Sequence, residues 1–198
     1  MKLLFIAAII STLPFLSYAR ETPPGRWAIK TEVLAQTAGA YAESIRIPGF
    51  KRLLSDGKGI QLSAEYLYID HKNWQLFQSA GVMHYWHSKQ EKGLALHTSL
   101  GYRRKIGTAY IEGLIGPGYL ETKFADGQQV QSQAGEIYTK PFKLTGITPT
   151  LALGAGYRIS KKWSAYTRYY HLAQMQEASS SPAVRLHRTL NLGLGLNL

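Results

Sequence analysis

The last ten residues, TLNLGLGLNL (Thr189–Leu198), decide the fold of this chain. Every second residue is a leucine, and the residues between the leucines are Asn or Gly. A period of two places the five leucines on one face of a β-strand. The core face of a soluble sandwich normally carries bulky side chains of several shapes. A uniform leucine face opposite a small, polar face instead predicts a strand with lipid on one side and a narrow polar lumen on the other.

Seven further segments alternate in the same way, and each is close to the ~9–11 residues that a tilted membrane strand needs. They are Arg26–Leu34, Gly59–Asp70, Trp74–His87, Gly93–Arg104, Ala109–Leu120, Thr148–Ile159 and Trp163–Leu172. No later stretch is an apolar run of 18 residues, so no transmembrane helix is expected. An even count of eight predicts an all-β fold, a closed antiparallel transmembrane barrel.

The connections between these segments support a barrel because their lengths alternate. Short connections are expected at His71–Asn73, Lys105–Thr108 and Ser160–Lys162, and the others are longer. Bacterial outer-membrane barrels have short periplasmic turns and longer extracellular loops. Both ends of the barrel domain are therefore expected on the side of the short turns.

The N-terminus predicts export. Lys2 precedes an apolar run, Leu3–Leu16, and Ser17-Tyr18-Ala19 places small residues at positions −3 and −1 of a cleavage site. This is the pattern of a secretory signal peptide. We therefore expect a signal peptide at residues 1–19 and a single barrel domain at residues 20–198.

The charge balance predicts an anionic neighbour. The 198 residues include 23 Lys and Arg against 12 Asp and Glu, a net charge of +11, and no Cys, which excludes disulfides and thiol chemistry. Twelve basic residues fall in the predicted loops: Arg46, Lys51, Arg52, Lys58, Lys89, Lys92, Lys123, Lys140, Lys143, Arg185, His187 and Arg188. Lipopolysaccharide carries phosphates at that height, so outer-membrane lipid is the expected partner. Nucleic acid is not expected, because these bases have no regular aromatic interleaving.

The signal peptide, the eight strands, the alternating connections and the final Leu-x-Leu strand together resemble the small eight-stranded bacterial outer-membrane β-barrels. The resemblance covers essentially the whole mature chain, and no motif identifies a subfamily. It implies an outer-membrane location and a structural, adhesive or surface-interaction role without a cofactor. A lipid A-modifying enzyme and a soluble periplasmic lipid-binding barrel are the alternatives.

Several charged residues occupy inward positions of their strands and are predicted to lie at the same height in the barrel. Counted from the short turns, six residues of both signs lie three to five positions along their strands: Lys30, Glu32, Glu65, Arg103, Glu112 and Arg168. An eight-stranded barrel is just wide enough for side chains to fill it, so these residues are expected to form one interior ionic layer. Only the register of the third strand is ambiguous, since Val82 and Trp86 oppose Met83 and Tyr85 in parity.

One candidate catalytic set is His97, Ser99 and Glu112. It is similar to the His-x-Ser and downstream Glu of the outer-membrane lipid A deacylases, which would imply a hydrolase triad. The family's triad faces the membrane, whereas parity turns His97 and Ser99 inward. Pairing across the Gly107 turn also leaves His97 about four residues from Glu112, or ~13 Å. We therefore expect no catalytic residues here.

Two other features have a functional and a structural interpretation. Pro117 and Pro149 are expected to face each other at the extracellular rim, either as an ordinary loop boundary or as a lateral seam for lipid tails. The seam is a feature of the lipid A palmitoyltransferases, which the chain resembles only in this respect. His84 and His87 lie three apart on a strand and so face opposite ways, which predicts no metal site.

Overall fold

The computed structural model describes residues 26–41, 57–87, 90–125, 128–131, 137–140, 142–175 and 184–198. The predicted signal peptide and several loop cations lie outside these ranges. The described residues include no helix long and apolar enough to cross a membrane. They form twelve antiparallel strands: β1 (Trp27–Tyr41), β2 (Gly57–Asp70), β3 (Trp74–Trp86), β4 (Glu91–Ile106), β5 (Ala109–Gly116), β6 (Gly118–Phe124), β7 (Gln128–Gln131), β8 (Ile137–Lys140), β9 (Lys143–Ile147), β10 (Thr150–Arg158), β11 (Trp163–Met175) and β12 (Val184–Asn197).

The sheet closes into a barrel. The strand order is β3-β2-β1-β12-β11-β10-β5-β4, and β4 pairs with β3 to complete the ring. Strand β6 continues β5 along β4, and β9 continues β10, with the same register before and after each break. The closed wall therefore has eight strand positions, as predicted, while β7 and β8 form a separate two-stranded ladder.

Several strands extend farther at the long-connection end, here called the loop end, than the sequence predicted. Strand β1 continues to Tyr41 instead of ending at Leu34, and β12 begins at Val184 instead of Thr189. Arg185, His187 and Arg188 therefore belong to the barrel wall, and so do Lys58, Lys92, Lys123 and Lys143. The prediction that placed these seven residues in loops was wrong. Where side chains are described, the inner face of these extensions carries the polar residues Gln36, Arg185 and His187. The extensions therefore lack the apolar alternation that identifies a membrane strand.

The outer surface of the wall is apolar where the predicted lipid face lies. Leucines of β12 and β10 remain well exposed, with Leu192 at 59% and Leu153 at 65%. The alternate residues of the same strands, such as Asn191 and Ala152, are fully buried inside. A continuous exposed apolar surface of this kind marks an interaction with lipid or protein rather than with water.

The structure resolves the register of the third strand. Phe77, Met83 and Tyr85 point into the barrel and are each only 1% exposed. The rings fit because β4 places glycines against them. A Cβ at Gly101 would lie 2.2 Å from the Phe77 ring, and one at Gly93 would lie 2.1 Å from the Tyr85 ring. The glycine spacing of β4 was the sequence signal that could have settled this register.

Pro117 and Pro149 lie within the wall and not at its rim, because β6 and β9 continue beyond them. The register places the two prolines directly opposite each other. The Thr148 amide still donates to the Gly118 carbonyl at 2.8 Å. The two strands that carry the prolines therefore keep a backbone hydrogen bond one residue away from them. Each proline carbonyl accepts from the flanking strand on its other side. The missing proline N–H groups therefore remove bonds from those flanking ladders, not from the seam between the prolines.

The glycine fit in β4 gives a direct stability test. Gly101→Ala should lower the free energy of unfolding by about 1–3 kcal/mol, because the new methyl group overpacks the Phe77 ring. Gly113→Ala is the matched control, since a Cβ there has its nearest neighbour at 3.8 Å. Urea unfolding of the refolded barrel in detergent measures both. Equal losses in the two variants would contradict the inward placement of Phe77.

Candidate functional site

The interior ionic layer is built around Arg168 of β11. Its Nε donates to Glu112 Oε1 at 2.7 Å, and its Nη1 donates to Glu32 Oε1 at 3.1 Å. Its Nη2 donates to the third carboxylate, Glu65. One guanidinium thus joins β1, β2 and β5 across the lumen. Because the Arg168 side chain is fully buried, the three carboxylates replace the water that would otherwise hydrogen-bond to its guanidinium group.

Two further cations balance these carboxylates. Arg103 Nη2 lies 2.7 Å from Glu112 Oε2 and 2.9 Å from Glu65 Oε2. Lys30 Nζ lies 3.5 Å from the same Glu65 oxygen and 4.2 Å from the centroid of the Tyr166 ring. The layer therefore contains three acids and three bases, and all six residues that the sequence analysis selected for it lie in it.

Glycines of β12 and β10 make room for the layer. A Cβ at Gly193 would lie 2.9 Å from Glu32 Cγ, and one at Gly195 would lie 3.0 Å from Lys30 Cδ. In β10, a Cβ at Gly154 would lie 3.0 Å from Arg168 Cγ. The small inner face of the Leu-Gly-Leu-Gly strand is thus needed to accommodate long charged side chains from its neighbours.

Neutral side chains complete the layer and were missed by the sequence analysis. Tyr166 donates its hydroxyl to Glu32 Oε1 at 2.9 Å, and the Asn191 amide donates to the other Glu32 oxygen. Gln75 accepts from Arg103 at 3.2 Å. The inward parity of Tyr166 and Asn191 was visible in the sequence, whereas that of Gln75 depended on the ambiguous register of the third strand. Only the closed barrel shows which charged side chain each one reaches.

A second buried polar cluster lies nearer the loop end. Glu91 of β4 accepts from Arg185 of β12, and His187 Nδ1 lies 3.6 Å from Glu91 Oε1. The side-chain Oε1 of Gln174 lies 3.3 Å from His187 Nε2, and the side-chain Nε2 of Gln36 lies 3.2 Å from His187 Nδ1. The sequence did not indicate this cluster, because Arg185 and His187 were predicted to lie in a loop.

The candidate triad is not assembled. His97 and Ser99 point inward, at 6% and 1% exposure, and neither the His97 ring nitrogens nor the Ser99 hydroxyl has a hydrogen-bond partner among the described residues. Glu112, the acid that would orient His97, is bonded to Arg103 and Arg168. His84 faces outward while His87 is buried inside, so their side chains do not converge.

The outer surface carries a row of lysines across neighbouring strands. Lys58 pairs with Trp86, Trp86 with Lys92, Lys92 with Lys123, and Lys123 with Lys143. All five side chains point outward, at the loop-end edge of the exposed apolar surface. Directly paired residues on one face of a sheet are about 5 Å apart at Cβ, so this lysine row concentrates positive charge along one line.

A single carboxylate lies beside the lysine row among the described residues. Glu121 Oε2 is 2.5 Å from Lys143 Nζ, and Glu121 Oε1 is 3.4 Å from Lys123 Nζ. Lys58 and Lys92 have no carboxylate within ion-pair distance in the part of the chain that the structure describes. The lysine row therefore retains a positive excess at the border of the apolar surface.

Comparison with solved structures identifies the fold. Neisserial surface protein A has a TM-score of 0.60 and 10% identity, and Ail, the attachment invasion locus protein of Yersinia pestis, has 0.52 and 14%. Ail in complex with the heparin analogue sucrose octasulfate gives 0.50 and 15%. Each match covers 89% of this chain and 100% of the other. No family model and no curated protein sequence matches the chain. The chain has the fold of the small eight-stranded outer-membrane β-barrels.

The contacts of the ionic layer predict that removing its central cation will lower the stability of the barrel strongly. Arg168→Leu leaves three buried carboxylates short of a partner and should lower the free energy of unfolding by about 3–5 kcal/mol. Arg104→Leu, at an exposed outward position of β4, should change it by no more than about 0.5 kcal/mol. Urea unfolding in detergent, followed by tryptophan fluorescence, compares the two. A loss below about 1 kcal/mol for Arg168→Leu would contradict the central role of this residue.

Proposed function

We propose that this chain is an exported, non-enzymatic outer-membrane barrel with a surface-interaction role, and that its lysine row binds the phosphates of lipopolysaccharide. The fold and the exposed apolar surface support insertion in a membrane. The predicted signal peptide at residues 1–19 supports export. In this orientation the short turns face the periplasm, and the loop end faces the cell exterior.

The observation that carries this proposal is the direct pairing of Lys92 with Lys123, and of Lys123 with Lys143. Like charges directly opposite each other destabilise a sheet. Glu121 already supplies a carboxylate to Lys123 and Lys143, so the pair formed by Lys92 and Lys123 is the one that favours an added anion. The row follows the edge of the apolar surface, where the phosphates of a bilayer lie. Trp86 lies in the same row, and its ring suits the boundary between hydrocarbon and headgroups.

A hydrolytic role has less support. A lipid A-modifying enzyme needs its nucleophile at the lipid face, whereas Ser99 and His97 are enclosed by the wall. The acid of the set is bonded to two arginines, which lowers its capacity to orient a general base. These contacts favour a binding role over catalysis.

The lysine row gives a test of lipopolysaccharide binding. Changing Lys92 and Lys123 together to Gln should weaken binding by about 30-fold, because each cation near a charged membrane surface contributes about 1 kcal/mol. The matched control changes Lys72 and Arg104 to Gln at the short-turn end, away from the lysine row. Binding to purified lipopolysaccharide is measured by fluorescence of the detergent-refolded barrel, with dephosphorylated lipid A as a second ligand.

The proposal requires that the row variant bind lipopolysaccharide more weakly than the wild type and that the control variant bind it equally well. It also requires that the wild type bind dephosphorylated lipid A more weakly than lipopolysaccharide. Equal loss in row and control variants would mean a general charge effect and would contradict the assigned site. Unchanged binding in the row variant would also contradict it. Sucrose octasulfate, added as a competitor, reports whether the row also takes a soluble polyanion.

Export and location have their own test. We expect the expressed chain to be recovered in the outer-membrane fraction and to require detergent for extraction. Its N-terminus should be Arg20, because the expected signal peptide ends at Ala19. Fractionation and N-terminal mass spectrometry check both points. Recovery in the detergent-free periplasmic fraction would instead support the soluble lipid-binding alternative.

A further inference from the structure

A cavity of about 440 Å³ lies in the barrel at the short-turn end, the end opposite the lysine row. Its inner boundary includes Lys30, Glu65 and Arg103 of the ionic layer, and its outer part includes the turn residues Lys161 and Lys162. This volume is within the range of small-molecule sites, roughly 300–1,000 Å³. The cavity is therefore large enough for a compact ligand.

The lining of this cavity is strongly cationic. It includes seven Lys and Arg side chains and two acidic side chains, Glu65 and Asp70. Both carboxylates already have cationic partners: Arg103 and Arg168 bond Glu65, and Lys105 bonds Asp70. Both acids are thus engaged by these partners, and Asp70 also attracts Arg158 from beyond ion-pair distance.

Four of the lining cations have no carboxylate within ion-pair distance in the described ranges: Arg26, Arg158, Lys161 and Lys162. Arg158 Nη2 instead donates to the Gly107 carbonyl at 3.4 Å. Strand pairing places Arg158 opposite Ser164, a buried inward residue, so Arg158 is on the lumen face of β10. These charges consequently surround one concave opening.

The floor of the cavity holds a cation in a fixed position. The Arg103 guanidinium carbon lies 4.4 Å from the centroid of the Phe77 ring and 4.6 Å from that of Tyr110. Its hydrogen bonds to Glu65, Glu112 and Gln75 fix it further, while 13% of the side chain stays exposed. A guanidinium held between two rings is already oriented and needs little ordering on binding.

We infer that this cavity binds a small multivalent oxyanion, one that carries several phosphate or carboxylate groups. Concave walls lined by charge of one sign focus the electric field and raise the local concentration of counter-ions. Arg26 and Arg158 offer forked donors to such groups, and Lys161 and Lys162 add point charges at the mouth. The anion would come either from solution or from the headgroup of a neighbouring phospholipid, since both present the same chemistry.

Calorimetric titration of the full-length mature barrel in a nonionic detergent tests the site, with tripolyphosphate and citrate as the probes. We expect saturable binding of tripolyphosphate at one site. Lys161→Gln with Lys162→Gln should weaken it at least tenfold. Both residues lie in an exposed turn, so folding should be preserved, and Arg158→Gln tests the lumen wall separately.

The matched control is Lys72→Gln with Arg104→Gln. It removes the same charge at the same end of the barrel, and neither residue lines the cavity. Its affinity should stay within twofold of the wild type. No saturable binding by the wild-type chain would overturn the inference, and so would equal losses in the cavity and control variants.

Nanodiscs distinguish the two sources of the anion. If cardiolipin in the disc lowers the apparent tripolyphosphate affinity at least fivefold relative to a zwitterionic disc, a phospholipid headgroup occupies the site. If the affinity is unchanged, the site takes an anion from solution. Both results support the cavity as an oxyanion site, and neither depends on the lysine row at the other end.

Discussion

The interior of this barrel depends on one guanidinium. Arg168 reaches Glu32, Glu65 and Glu112, which belong to three different strands, and it is fully buried. Buried ion pairs of this kind add little net stability, because the free energy lost on desolvating the charges offsets much of their attraction. Their main effect is on specificity, because a register shift of one residue in any of these strands would turn a charge toward the apolar exterior.

The same layer explains the composition of the strands around it. Long charged side chains fit in so narrow a lumen only if their neighbours are small, and Gly154, Gly193 and Gly195 supply that space. The leucines of β12 face outward and its Asn and Gly residues face inward for two separate physical reasons. The first produces the exposed apolar outer surface of the wall, and the volume taken by Lys30, Glu32 and Arg168 sets the second.

The two ends of the barrel carry different kinds of positive surface. At the loop end, the lysine row lies on the outer face, at the edge of the apolar surface. At the short-turn end, cations that include Arg158 and Lys162 surround a cavity inside the wall. The outer row suits an extended, phosphate-bearing lipid surface, whereas the cavity suits one compact anion. Between the two ends, the three acids and three bases of the ionic layer fill the lumen.

The sequence by itself determined the eight strands, their antiparallel closure and the three short turns that lie together at one end of the barrel. It could do so because period-two alternation against lipid is a local property of each strand. The same parity also selected the six charged residues of the interior layer. Only the tertiary structure decided that Phe77 and Tyr85 point inward, since their fit depends on Gly101 and Gly93 of the next strand. It alone showed that Arg185 and His187 lie inside the wall, because polar strand extensions have no local signature. The lysine row and the cation-lined cavity are also visible only in the tertiary structure. Both arise because strand pairing and turn positions bring together residues that are distant in the chain.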